Sequence, residues 1–248
     1  MSYTFSREHM AEALGRAHLH WQERHSGDSM SGAMVAPAFT VAVSREAGTY
    51  GAAIAREVGN RLGWPVYDRE LLQRIAEDMG IRQTLLESVD ERNVGWLREC
   101  FSKLFSVPNV NESVYFRRLV ETLLSLATHG NCVVVGRGAT AALPLATTLR
   151  VRVVAPREHR IEAIRREHSI SHEEATRRLE TTDRERNTFV KSHFEIDPSD
   201  AANYDLVVNA ARFSTTECAD LVIAAVERLR KQARSGLPVS SLPAIGAV

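Results

Sequence analysis

Residues 39–55 read FTVAVSREAGTYGAAIA, and what this stretch builds decides how the rest of the chain is read. Phe39, Val41 and Val43 recur at the two-residue period of a strand. Gly48 and Gly51 then interrupt the pattern, and the small residues after Gly51 suit a helix starting close against a sheet. A strand that enters a glycine turn and then a helix is how proteins cradle phosphate. Successive backbone N–H groups point into such a turn, and the helix N-terminus adds about half a positive charge. The nucleotide-binding version is GxxxxGK[ST], whose lysine reaches the outer phosphates and whose hydroxyl binds magnesium. In this chain Gly48, Thr49, Tyr50 and Gly51 stand where a glycine, a small residue, a glycine and the lysine belong. The lysine is absent. A plain βα turn and a phosphate site are equal readings of this stretch alone.

Outward from it, the helix is expected to run to about Leu62, ended by Gly63 and Pro65. Trp64–Tyr67 reads as a short strand, and Asp68 as the N-cap of a helix Arg69–Met79. Residues 82–107 show mixed apolar spacing, expected as short helices of a mobile flap. Val114–His129 has helical periodicity stopped by Gly130, and Cys132–Val135 is an apolar strand leading into Gly136-Arg137-Gly138. Leu149–Val154 and Leu206–Val208 are further strands. Residues 157–180 read as helical with a break near Ser169–Ser171, where Ser171 and Glu174 form a capping box. Thr215–Arg230 is a final amphipathic helix. Five apolar strands separated by helices imply an α/β fold, a five-stranded parallel sheet with helices on both faces. Ligands in such folds bind at the carboxyl ends of the strands, where Arg45, Gly48, Asp68 and Arg137 all fall.

The termini read differently. Residues 7–24 read as an amphipathic helix with Met10, Leu14, Leu19 and Trp21 on its apolar side, and Gly27–Pro37 as a linker. The first 37 residues are therefore expected as an extension outside the core, a dimer or docking arm. His18, His20 and His25 lack matching ligands nearby and read as a solvated helix face. The core is expected over 38–232, and the Ser/Pro/Gly-rich residues 233–248 as a disordered tail.

Composition narrows the function. The 248 residues carry 31 basic and 31 acidic side chains, a formal net charge of zero. That speaks against bulk electrostatic binding of nucleic acid or an anionic membrane. Cys100, Cys132 and Cys218 form no CxxC pair, so neither a disulfide framework nor a zinc site is expected. No run approaches about 18 apolar residues, and the N-terminus lacks a signal-like apolar block. A soluble, cytoplasmic protein is the expectation.

Two further signals concern phosphate. Val133–Thr140 (VVVGRGAT) sets a guanidinium at the ligand edge of the sheet, and arginine suits bidentate phosphate recognition. From Arg157 to Lys191 basic and acidic residues interleave, most of them a solvated helix face. The informative subset is ETTDRERN, residues 180–187, with Arg184 and Arg186. Arginines delivered by a moving segment stabilise charge in phosphoryl transfer. No G-x-G-x-x-G follows the first strand, which speaks against a Rossmann-type dehydrogenase.

Taken in order, SREAGTYGAAIA, PVYDRELL, VVVGRGA, APREHRIEAI, DRERN and YDLVVN resemble the cytidylate-kinase-like family of P-loop nucleoside monophosphate kinases, over roughly Phe39 to Arg230. The resemblance implies a P-loop kinase fold with a helical acceptor-binding insertion at about 69–130 and a helical lid at about 157–195. It implies transfer of the γ-phosphoryl of ATP, with Mg²⁺, to a CMP- or dCMP-like acceptor. Residue by residue, Arg45, Gly48, Thr49, Tyr50, Gly51 and Ala52 become the phosphate loop, with Thr49 a magnesium ligand. Tyr67, Asp68 and Arg69 open the acceptor-binding part, Arg137 grips the acceptor's phosphate, and Arg160 opens the lid. Asp183 and Arg186 match the lid's Asp-x-x-Arg, with Arg184 as the alternative finger. Tyr204 and Asp205 match a structural pair before the last strand.

The chain also departs from that pattern. Cytidylate kinases carry the loop lysine, whereas Gly51 followed by Ala52 supplies no cation, leaving Arg45 as the residue to reach over. They also place an Asp after Gly-Arg, where Gly138 stands. A nucleotide-binding regulatory protein without catalysis, and a small-molecule kinase with a non-nucleotide acceptor, are the alternative readings.

Overall fold

A computed structural model describes residues 38–89 and 114–234, together with Ala17, Leu19 and Trp21. The expected flap beyond residue 89 and the expected tail beyond residue 234 lie outside the described residues, as does most of the N-terminal helix; residues 233 and 234, expected in the tail, close the final helix instead.

The first strand, β1 (Thr40–Arg45), leads through the turn 46–50 into α1 (Gly51–Leu62). Then come β2 (Val66–Tyr67), α2 (Arg69–Glu77), α3 (Met79–Glu87) and α4 (Val114–His129). After β3 (Cys132–Val135) follow the one-turn helix α5 (Ala139–Ala142) and β4 (Thr148–Val154). The helical hairpin α6 (Arg157–His168) and α7 (His172–Phe194) precedes β5 (Leu206–Asn209) and α8 (Thr215–Arg234). The sheet is five-stranded, in the order β2-β3-β1-β4-β5, and each neighbouring pair is parallel.

Its two faces follow from alternation within single strands. Val41 and Val43 of β1, and Val133 and Val135 of β3, bury toward one face with Ile54, Val58, Val222 and Val226 of α1 and α8. Ala42, Cys132 and Val134 bury toward the other with Leu71, Leu72, Leu119 and Leu123 of α2 and α4. All four residues of β3 are buried, as a central parallel strand requires. Wrapping both faces in helices leaves the carboxyl ends of β1, β3 and β4 as the open edge.

Several boundaries differ from expectation. The strand at Trp64 shrinks to Val66–Tyr67, because the amide of Trp64 closes the end of α1 by donating to Gly59 O. Asp78 splits the helix foreseen at 69–79, its carboxylate accepting from the amides of Gly80 and Ile81 to start α3. Ser169, at φ 54°, ends α6, and the Ser171 hydroxyl accepts from Glu174 N to start α7. That helix then runs on to Phe194, so the ETTDRERN segment is inside it and not beyond it. Trp21 corrects the picture of a detached N-terminal arm. It is 1% exposed, lies with Ala17 in the core beside α2 and α4, and its indole N–H donates to the Tyr67 hydroxyl at 3.0 Å. Leu19, placed on the apolar side in sequence, is exposed. No helix among the described residues is long and apolar enough to cross a membrane.

Candidate phosphate-binding cleft

At the open edge lies a cavity of about 280 Å³. Arg45 reaches it from the end of β1, Arg69 from the start of α2, Arg137 from the turn after β3, Arg152 from β4 and Arg186 from α7. Glu185 is the carboxylate among its lining residues. Within 4 Å, Arg152 has a carboxylate, Glu46 Oε1 at 3.8 Å. Among the described residues, Arg45, Arg69, Arg137 and Arg186 have no carboxylate ion pair.

Each of these side chains is aimed by local structure. Arg137 occupies the left-handed region at φ 54°, between Gly136 and Gly138, also left-handed. This tight turn throws its guanidinium back over the sheet edge between the rings of Tyr115 and Phe189, 5.8 and 5.6 Å from their centroids. Its Nε and the Tyr115 hydroxyl are buried without a hydrogen-bond partner. Burial pulls the Arg137 guanidinium below its ordinary range and pushes the Tyr115 phenol up. On α7, Thr182, Arg186, Phe189 and Val190 recur at helical spacing along the cleft. Arg186 donates from Nη1 to the carbonyl oxygen of Arg45 at 3.2 Å. Burial, then the surrounding arginines, lowers the Arg186 pKa, against the pull of Asp183. Arg184 is exposed and outside the lining, so Arg186 is the finger of this pair that faces the cleft.

The turn 46–50 behaves otherwise. Gly48, Thr49, Tyr50, Gly51 and Ala52 are not among the cavity's lining residues. Gly48, at φ 74°, is pressed against the backbone of Arg160, whose carbonyl oxygen fills the place of a Cβ. Thr49 is 1% exposed, and its hydroxyl donates to Glu46 O at 2.8 Å. Tyr50 is exposed, with a left-handed backbone at the start of α1. The amide of Ala47 donates to Asp183 Oδ1 at 2.8 Å.

Arg160 and Asp183 are thus turned to the scaffold. Arg160 donates to Ala155 O, and its guanidinium bridges Glu46 at 3.3 Å and Asp183 at 2.5 Å. It fastens the hairpin to the turn, with Nε and Nη1 held by Ala155, Ala47, Glu46 and Asp183. Tyr67 is likewise fully buried, its hydroxyl taken by Trp21. Asp68 caps α2, accepting from the amides of Glu70 and Leu71. Thr49 does not fit a magnesium ligand, and among the described residues no three His, Cys, Asp or Glu side chains gather as a metal site.

Arg152 escaped the sequence reading. In TLRVRVV it alternates with Leu149, Val151 and Val153, and a charge in a buried parallel strand was the available signal. Arg150 shows why that signal is ambiguous: two residues away, it makes a bidentate pair with Asp205 at 2.7 and 3.2 Å. Arg152 instead donates to the Ser44 hydroxyl at 2.7 Å, stacks on Tyr204 and reaches the cleft. Phe194 was also missed. Its ring fills the space of any side chain at 138.

Comparison with known proteins bears on the family and the fold. The model of the cytidylate kinase-like family matches residues 40–212, more than half of the chain. A cytidylate kinase from Methanopyrus kandleri is 33% identical over 86 residues, which span 35% of this chain and 45% of that protein. The chain therefore matches less than half of that relative's length. An uncharacterized protein from Eubacterium ventriosum has a similar fold, with a TM-score of 0.62 at 18% identity, covering 77% of this chain and 98% of the other. A shikimate kinase from Bacteroides thetaiotaomicron gives a TM-score of 0.43 at 14% identity, covering 76% and 98%.

Proposed function

The chain belongs to the cytidylate kinase-like family, and from that premise we propose that it is a phosphotransferase moving the γ-phosphoryl group of ATP to a nucleoside monophosphate, CMP- or dCMP-like. The observation that carries the reading is the gathering of Arg45, Arg69, Arg137 and Arg186, none with a carboxylate ion pair among the described residues, around one cavity at the strand ends. Arg69 is exposed and the other three are partly withdrawn from water, and charges withdrawn from water without counter-charges are costly to keep. Phosphate oxygens are the partners that guanidinium forks fit.

In the transfer, an oxygen of the acceptor's phosphate forms a bond to the γ-phosphorus as the bond to the β–γ bridging oxygen breaks, and ADP leaves. Charge spreads over the equatorial oxygens, so the protein's work is positioning and electrostatic stabilisation. Arg137 holds the acceptor's phosphate, and Arg186 faces the transferring group from α7. Arg69 and Arg152 flank them. The apolar parts of Phe189 and Val190 keep water from the cleft. Mg²⁺ accompanies ATP in this family's chemistry, but Thr49 is committed to Glu46 O and does not fit as its ligand.

The test is ADP release across nucleoside monophosphates, with calorimetric binding of ATP and CMP in parallel. Turnover with at least one acceptor is expected. Arg137→Ala should weaken acceptor binding about tenfold or more, the value of a charge-assisted hydrogen bond, with the melting temperature held. Unchanged acceptor affinity would remove Arg137 from its role. Binding of ATP without turnover for any acceptor would favour the second reading, a nucleotide-binding regulator, for which Gly51 in place of lysine speaks. The place of Phe194 against Gly138 favours an acceptor recognised without the family's Asp, a non-nucleotide one included.

A further inference from the structure

The geometry points to Arg45 as the cation of the donor-phosphate site, relocated from the helix to the strand, and to Gly51 as the residue that leaves room for it. The inference rests on the phosphotransferase reading above and assigns the residue that does the missing lysine's work. The stem of Arg45 passes directly beside position 51, where a Cβ would lie 2.6 Å from Arg45 Cβ and 3.0 Å from its Cγ. No ordinary packing accommodates that approach. At the far end of the same side chain, a Cβ on Gly136 would press on Arg45 Nη1, which as the tip of a flexible side chain would have to swing aside. Gly136 also has φ 76°, the conformation that favours glycine there.

Two glycines from separate elements, the first residue of α1 and the residue after β3, therefore flank the path of one arginine. An arginine at 45 and a lysine at 51 exclude each other. In GxxxxGK the first glycine stands at the place of Arg45 and the lysine at the place of Gly51. This chain has the opposite arrangement, with the cation on the last residue of β1.

The surroundings of the guanidinium fit a ligand site better than a packing role. Among the described residues Arg45 makes neither an ion pair nor a side-chain hydrogen bond. Arg186, Arg69 and Arg137 repel it, and Asp68 attracts it. Burial first, and then Arg186, pushes its pKa down to about 9. An apolar side chain would fill this path without that penalty. A polyphosphate would supply the missing counter-charge.

The experiment titrates inorganic tripolyphosphate and ADP by calorimetry into the wild type, Arg45→Met, Gly51→Lys and the double variant Arg45→Gly/Gly51→Lys, with melting temperatures measured alongside. Arg45→Met should weaken tripolyphosphate binding by about tenfold to a hundredfold while keeping or raising the melting temperature without ligand. Gly51→Lys should lower both affinity and melting temperature. The double variant should recover both, a coupling far from additive. Wild-type affinity in Arg45→Met, or a double variant no better than Gly51→Lys, overturns the inference, as does a wild type that binds no tripolyphosphate. If the binding pattern holds while no acceptor turns over, Arg45 stands and the enzyme reading alone is lost. If turnover is found and is indifferent to Arg45→Met, the reverse is true.

Discussion

Arg160 and Arg45 both border the turn 46–50 and are held in opposite ways. Arg160, 9% exposed, bridges Glu46 and Asp183 and donates to the carbonyl of Ala155. Arg45 lines the cleft with three like charges around it and no ion pair among the described residues. A guanidinium whose counter-charges come from the fold is part of the scaffold. One left without them is a group whose partner arrives from outside. The same division runs along α7, where Asp183 ties the turn to the hairpin and Arg186, three residues later, faces the cavity. A helix fixed at Asp183, with Phe189 and Phe194 packed against the core at its end, is docked against the cleft in this structure.

The contrast is broken most directly on the scaffold side. Asp183→Ala removes the acceptor of the Ala47 amide and half of the charge around Arg160, leaving a buried cation short of a partner. Unfolding in urea should register a loss of about 2–4 kcal/mol, whereas Arg186→Ala should stay within about 0.5 kcal/mol of the wild type or above it. Equal costs for the two would erase the distinction between scaffold and cleft.

The cleft side is sharpened by pH. The folded-state pKa of Arg45, about 9, lies well below the ordinary value for arginine, so the folded protein binds this proton less tightly than the unfolded chain. Below about pH 9 the folded state carries the full burden of the charge, and that burden is lifted as pH rises above about 9 toward the ordinary arginine value. The stability advantage expected of Arg45→Met over the wild type at pH 7.5 should therefore narrow by pH 10, while the wild type's affinity for tripolyphosphate falls. An advantage that widens with pH would contradict the sign.

How far the sequence foretold this depends on which kind of information each feature needs. Alternation within TVAVSR and CVVV dictates which side chains go to which face, so the sheet and its ligand edge were readable. Residues next to strand ends, Arg45, Arg69 and Arg137, follow from the same logic. Inside α6 and α7 the charges of residues 157–191 look alike in sequence. Only the third dimension assigns Arg160 and Asp183 to each other and Arg186 to the cleft. Arg152 was hidden because its strand reads as apolar, and its neighbour Arg150 is neutralised by Asp205, 55 residues away. Trp21 shows the remaining limit: a residue 46 positions from Tyr67 meets it through tertiary packing that no local pattern encodes.

A third kind of arginine separates pairing from burial. Arg61 of α1 reaches Asp220 of α8 at 2.6 Å, but the two side chains are 37% and 56% exposed. Water already compensates both charges, so the pair adds little Coulomb energy and restricts two long side chains. Arg61→Ala should cost no more than about 0.5 kcal/mol in urea unfolding and leave tripolyphosphate affinity unchanged. If it instead cost as much as Asp183→Ala, pairing itself would be the stabilising factor irrespective of solvent. The absence of pairs in the cleft would then mark weak packing there as readily as a site shaped for an anion.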